Sequence, residues 1–236
     1  MTHEMTESQH IVDQYQRRVS TRPVLRNERQ PKSNIWFFDS PKNNCRSIIE
    51  GDLPFLYAVL LEGDVSVASY QVSPEPFIVQ AGGASTLVAV GARVQLINRT
   101  SQWWDFRRLE GLSAAKRKAA LKNEGKSALA QSVGVEYHIK TDIDFRGQET
   151  AFDNWLLLCA AITRCRGHLL VRERQHLSRY LTQHETMTLS TLLDIQDIDA
   201  AYMNAVVALS LQQGIVSTNL TTQLYGPHSI LRRGNQ

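Results

Sequence analysis

The chain of 236 residues is 42% hydrophobic and 21% charged, enough for one large domain or two small ones around a sizeable core. No apolar run reaches about 18 residues, so neither a membrane-spanning helix nor a membrane partner is expected. The net charge of +3 is too small to name a partner by itself, so its distribution has to be read instead.

The opening stretch, MTHEMTESQH, is polar and acidic and unlike a secretory leader. Residues 1–30 are expected to form a flexible basic arm. Arg17, Arg18, Arg22, Arg26, Arg29 and Lys32, continued by Lys42 and Arg46, face only Glu28 and Asp39. Clustered cations of this kind suit a phosphate backbone, because neutralising it releases condensed counterions. After the apolar IWFF (35–38), Leu53, Leu56, Tyr57, Leu60 and Leu61 fall on one helical face, with Asp52 as the expected N-cap and Pro54 tolerated in the first turn. VSVASYQV (65–72) reads as a strand, and SPEPFIVQ as another broken by Pro74 and Pro76. ASTLVAVGARVQLINRT (84–100) reads as a hairpin, with strands near 85–90 and 92–98 turning at Gly91.

SQWWDFRRLEGLSAAKRKAALKNEGKSALAQSVG (101–134) reads as helix interrupted at Gly111 and Gly125. It carries the second cationic cluster, Arg107, Arg108, Lys116, Arg117, Lys118, Lys122 and Lys126, against Glu110 and Glu124. Trp103 and Trp104 beside Arg107 and Arg108 form a pattern that can stack bases and grip phosphate, or can pack into a core or an interface. VEYHIKT (135–141) alternates as a strand returning to the same sheet. The fold class expected is α/β: a mixed-sheet core over 31–147, followed by an all-α or winged-helix domain over 148–236. In that second part, helices at 150–165, around 169–184, at MTLSTLLDI and at 199–212 precede a short strand pair formed by IVSTNL and LYG. This order puts 199–212 in the recognition position of a winged helix, whose contact could be DNA or protein.

No phosphate loop, dinucleotide fingerprint, HExxH, GxSxG or paired CxxC occurs, and the seven histidines are scattered. No metal site and no cofactor are expected. Cys45, Cys159 and Cys165 form no even framework, which points to reduced thiols in a cytoplasmic protein.

Taken in order, RSIIEGDLPFLYAVLLEGDVSVASYQVSPEPFIV (46–79), ASTLVAV, VQLINRT, VEYHIKTDIDFRG (135–147) and ALSLQQGIVSTNLTTQLYGPHSILRR (208–233) resemble the TnsA-like transposon endonucleases across about 30–235. The resemblance implies a restriction-endonuclease-like PD-(D/E)xK fold. It also implies partners: the DNA of a transposon end or its flank, and a transposase and AAA+ regulator of TnsB and TnsC type. A bacterial protein, nucleoid-associated when bound, follows from the same resemblance. Active members need a helix acid and two oxygen ligands on the hairpin for Mg²⁺, with a lysine beside them. Here the helix acid matches Glu50, while the hairpin positions fall on Ser85, Ile97 and Arg99. Serine, isoleucine and a permanently charged guanidinium cannot replace two carboxylates and a lysine. The expectation is a pseudo-endonuclease with no intact catalytic residue. Two alternatives stand beside it: a working Mg²⁺-dependent endonuclease with ligands among Glu50, Asp52, Glu62, Asp64, Glu75 and Asp105, and a winged-helix DNA-binding regulator.

Overall fold

The computed structural model describes residues 33–234. The arm expected over 1–30, and with it Arg17, Arg18, Arg22, Arg26, Arg29 and Lys32, lies outside the described residues. The chain is a mixed α/β fold. Strands β1 (Ile35–Ser40) and β2 (Cys45–Glu50) make an antiparallel hairpin through a turn in which Asn44 takes φ 51°. The paired asparagines at 43 and 44 are the sequence signal for this turn.

Helix α1 (Asp52–Gly63) starts at Gly51, whose φ of 94° is open to glycine, and not at an Asp52 cap. Asp52 instead accepts bonds from Asn34 Nδ2 at 2.8 Å and Trp36 Nε1 at 3.1 Å. Buried residues lie on nearly every side of α1, including Leu53, Phe55, Tyr57, Val59 and Leu61, so it runs through the core. The central sheet takes β3 (Val67–Val72), β6 (Ala92–Leu96), β7 (Ser101–Arg107) and β8 (Glu136–Thr141), in that spatial order. The first three are antiparallel, and β8 runs parallel to β7 after a crossover carrying α2 (Ala114–Ala120) and α3 (Glu124–Ser132).

The hairpin expected across Gly91 does not form. Strand β4 (Phe77–Ala81) pairs with β5 (Ala84–Val88), and β6 pairs with β7. The reason is local. Gly82 and Gly83, with φ of 56° and 81°, make the tight turn between β4 and β5. Gly91 is a spacing residue: a Cβ there would lie 2.6 Å from the Phe106 ring and 3.1 Å from the Trp104 carbonyl oxygen. Strand β7 also replaces the helix expected from residue 101. Its burial is continuous over Trp103, Trp104 and Asp105, so it lacks the alternation that marks a half-exposed strand.

Beyond the short α4 (Asp142–Phe145), α5 (Glu149–Arg164) and α6 (Val171–Gln183) follow. Next come β9 (Thr186–Thr188), α7 (Leu189–Leu193), α8 (Ala200–Gln212), β10 (Val216–Ser217) and β11 (Ile230–Arg233). Strands β10, β11 and β9 form a small antiparallel sheet in that order. The expected strand at LYG is absent, and Tyr225 is buried there with its hydroxyl donating to Asn204 Oδ1 at 2.7 Å.

Helix α8, expected in the recognition position, is not available to a DNA groove. Met203, Ala205, Val206, Val207, Ala208, Ser210 and Leu211 are all buried. The loop after β10 is pinned as well: Asn154 of α5 donates to the carbonyls of Leu220 and Gln223 and accepts from Tyr225 N. A helix this apolar, buried along most of its length, is held as core.

One hydrophobic cluster runs from Phe38 through α1, α5 and α8 to Leu231, across the expected boundary at 147 and 148. Gly63 lets α1 approach α5 so closely that a Cβ there would overlap the Trp155 indole. Arg166 reaches back to Asp39 of β1 at 2.6 Å. A fragment of residues 148–236 is therefore expected to lack a sharp cooperative melt and to bind a hydrophobic dye, since Trp155 and Leu158 lose their cover. A two-state melt of that fragment near the full-length midpoint would show that the rear half folds alone. No helix among the described residues is long and apolar enough to cross a membrane.

Candidate nucleic-acid interface

The positions that resemblance assigns to nuclease chemistry are not brought together. Glu50 ends β2, exposed, across from Ile35. Ser85 lies in β5, its Oγ donating to Gln80 Oε1 at 3.0 Å within the β4–β5 hairpin. Ile97 and Arg99 sit in the β6–β7 turn, where Arg99 takes φ 71° and Asn98 Oδ1 accepts from Thr100 N. Of the other acids, Asp64 accepts from Ser66, Glu75 is exposed between β3 and β4, and Glu62 is wholly buried.

The true hairpin places a different acid and cation together. Asp105 and Arg107 are two apart on β7, so their side chains share a face, and Arg107 Nη2 lies 3.1 Å from Asp105 Oδ2. The same oxygen accepts from Lys126 Nζ at 2.7 Å and Tyr137 hydroxyl at 2.8 Å, and Oδ1 accepts from Gly91 N at 3.3 Å. Asp105 is only 3% exposed. Burial by itself would raise its pKa, but the bonds from Lys126 and Tyr137 and the charges of Lys126 and Arg107 outweigh that and hold the carboxyl below the ordinary value of 3.8.

These donors settle what Asp105 can do. A Mg²⁺ ion needs several hard oxygens converging on it, and here one carboxylate is shared by two cations. Across the hairpin, Ala92 faces Trp104 and offers no oxygen side chain. Asp105, so paired, does not fit a catalytic Mg²⁺. Tyr137 and Asn123, whose Nδ2 donates to Asp105 Oδ2 at 3.4 Å, escaped the sequence reading, and Lys126 entered it only as a member of the second cationic cluster. The signal for them was the acid-x-cation spacing at 105 and 107, which becomes visible once residue 101 onward is read as strand.

The basic segment divides in two. Arg107 is paired with Asp105 at 3.1 Å, and its side chain is 39% exposed. Arg108 is 70% exposed and only 4.0 Å from Asp52. Helix α2 buries none of its residues, and Lys116, Arg117 and Lys118 have no carboxylate partner among the described residues. Arg117 Nε donates to Leu112 O at 2.9 Å, which steadies the preceding loop. A helix with no apolar face and a strong intrinsic propensity is a carrier of charge.

Trp103 and Trp104 are not stacking platforms. They are 5% and 7% exposed and cover opposite faces of the sheet. Trp103 meets Phe77 edge to face at 5.4 Å, while Trp104 meets Tyr57 at 6.1 Å with Lys140 Nζ 4.4 Å above its ring. No protein-family model matches the chain, and no curated protein matches it.

Proposed function

We propose that the chain is a catalytically inactive TnsA-like transposition protein, which binds DNA through its cationic crossover and docks a transposase or an AAA+ regulator. The observation that carries the reading is Asp105: the one acid on the β6–β7 hairpin is neutralised by Arg107 and Lys126 and bonded by Tyr137. The order α1, three antiparallel strands, a helical crossover and a parallel fourth strand supports a restriction-endonuclease-like core. The exposed Lys116, Arg117 and Lys118 support a phosphate partner. The rear half resembles a winged helix in element order, and the burial of α8 favours a protein partner for that half over a DNA groove.

Supercoiled plasmid incubated with the protein and Mg²⁺ or Mn²⁺ is expected to stay intact, while fluorescence anisotropy detects salt-dependent binding of a duplex. Nicking that disappears on Glu50→Ala or Asp105→Asn would establish a working endonuclease and end the reading of an emptied site. Removing a single preorganised electrostatic group commonly lowers rates by about 10²–10³. A site whose one hairpin acid is held by two cations is therefore expected to sit at the assay background.

A further inference from the structure

Strand alternation puts Val94 and Trp104 toward α1, and Arg93, Gln95, Ser101 and Trp103 on the other face of the central sheet. On that face lies a hollow of about 430 Å³, with Phe77 of β4 contributing to its wall. Its residues form two cross-strand rows: Ser69, Gln95 and Ser101 in one, Gln71, Arg93 and Trp103 in the other.

The first row supplies a fixed floor. Ser101 Oγ donates to Gln95 Oε1 at 2.7 Å, and Gln95 Nε2 donates to Thr100 O at 3.2 Å. The neighbouring Gln102 is held by Glu136 at 2.7 Å. Beside this floor stand three side chains whose polar atoms have no bonded partner among the described residues: Ser69, Gln71 and Arg93. The Arg93 guanidinium carbon rests 4.8 Å from the centre of the Phe77 ring, which orients it without neutralising it. No carboxylate lines the hollow. The basic helix α2 contributes nothing to it.

An oriented, unneutralised guanidinium beside amide and hydroxyl donors, in a hollow without acids, matches the fork geometry by which arginine holds a phosphoryl group. The volume lies at the small end of ligand-binding clefts. A duplex is far too wide to enter. We infer that this hollow binds a phosphoryl group carried by a single nucleotide unit, free or at a strand end, with Arg93 as the main partner of the anion and Gln71 and Ser69 as further donors. The ligand's source is either a free nucleotide or the phosphorylated end of a nucleic-acid strand. The inference does not rest on the transposition reading, because it uses neither α2 nor the Asp105 cluster.

Titration calorimetry on the full-length protein tests it with five probes: inorganic phosphate, deoxyadenosine 5′-monophosphate, deoxyadenosine, and a short single strand with and without a 5′-phosphate. Saturable binding is expected for the phosphorylated probes and about tenfold weaker binding for their unphosphorylated counterparts. Arg93→Gln and Gln71→Glu should each weaken the phosphorylated probes by about tenfold or more, the second by placing a negative charge in the hollow. Both positions are exposed, so the melting temperature should be unchanged. Lys116→Gln should leave these probes unaffected. Arg93-dependent binding of the free nucleotide assigns a small ligand, and dependence confined to the phosphorylated strand assigns a strand end; either supports the site. Absence of saturable binding for every phosphorylated probe at millimolar concentration, or binding that Arg93→Gln leaves intact, overturns it.

Discussion

Replacing Glu62 by alanine is expected to remove about 3–5 kcal/mol of folding free energy. Glu62 ends α1 with no exposed surface, yet four donors converge on it. Its Oε1 accepts from the Ser40 hydroxyl and, at 2.5 Å, from the Tyr70 hydroxyl. Its Oε2 accepts from Lys42 N at 2.9 Å and Gln212 Nε2 at 2.8 Å. One side chain therefore ties β1, α1, β3 and α8, the front and rear halves together. Alanine would leave all four donors in a dry pocket without an acceptor. Glu62→Gln should lose only about 1 kcal/mol, because the two hydroxyls can turn to accept from the new amide. Denaturant melts of the three proteins decide the matter. Equal midpoints for the alanine and wild-type chains would show that the cluster contributes nothing.

The same residue sets a pH dependence whose sign follows from its environment. Burial raises the Glu62 pKa above 4.5, and the bonds from Ser40, Tyr70 and Lys42 with the Lys42 charge only partly oppose this. The folded chain thus holds the proton more tightly than the unfolded one. The stabilisation this gives is fully present below the unfolded value near 4.5 and is lost as pH rises through the raised folded value. Lys42 has the opposite sense, since burial lowers it from 10.5 and its contribution is lost as pH falls through the folded value. Comparing wild type with Glu62→Gln isolates the acid limb: the gap between their stabilities should change as pH rises above 4.5 and level once the raised folded value is passed.

What the sequence made legible were elements whose own pattern decides them. Strand 67–72 and the helices at 149–164, 171–183 and 200–212 emerge from β-branched runs, apolar periodicity and the Gly214 exit at φ 72°. Strand β7 was hidden because both faces of it are covered, Trp103 by Phe77 and Trp104 by Tyr57, so no polar alternation survives. The β6–β7 turn was hidden because Arg99, without glycine, takes a left-handed φ that the Asn98 side chain supports through Thr100 N. These two errors moved the whole site. With the hairpin centred on Gly91, the resemblance put its acid and lysine positions on Ser85, Ile97 and Arg99; with it centred on Asn98, the acid and cation that share a strand face are Asp105 and Arg107. Side chains from α3 and from the neighbouring strand β8, Lys126 and Tyr137, then decide whether Asp105 is a ligand or an ion-pair member, and only tertiary packing could supply them.

The second large effect is expected from reversing Lys116, Arg117, Lys118 and Lys122 together to glutamate. Helix α2 buries none of its residues, and glutamate has nearly the helix propensity of lysine and arginine, so the fold should be untouched. The one ion pair these four residues make among the described residues, Lys122 with Glu124 at 3.6 Å, is exposed and worth little. Arg107 is left in place on purpose, because reversing it would strand Lys126 and Asp105 in a broken cluster and confuse misfolding with lost affinity. If each of the four cations neutralises a phosphate, duplex affinity should fall on the order of a hundredfold at low salt. The slope of log affinity against log salt should shrink by about 0.9 per lost contact. Anisotropy titrations between low and moderate salt read both quantities on one protein. A loss of affinity with an unchanged slope would mean the substitutions act through shape, not through counterion release. Unchanged affinity and slope would take DNA away from this helix and leave any polyanion binding to Arg17, Arg18, Arg22, Arg26, Arg29 and Lys32.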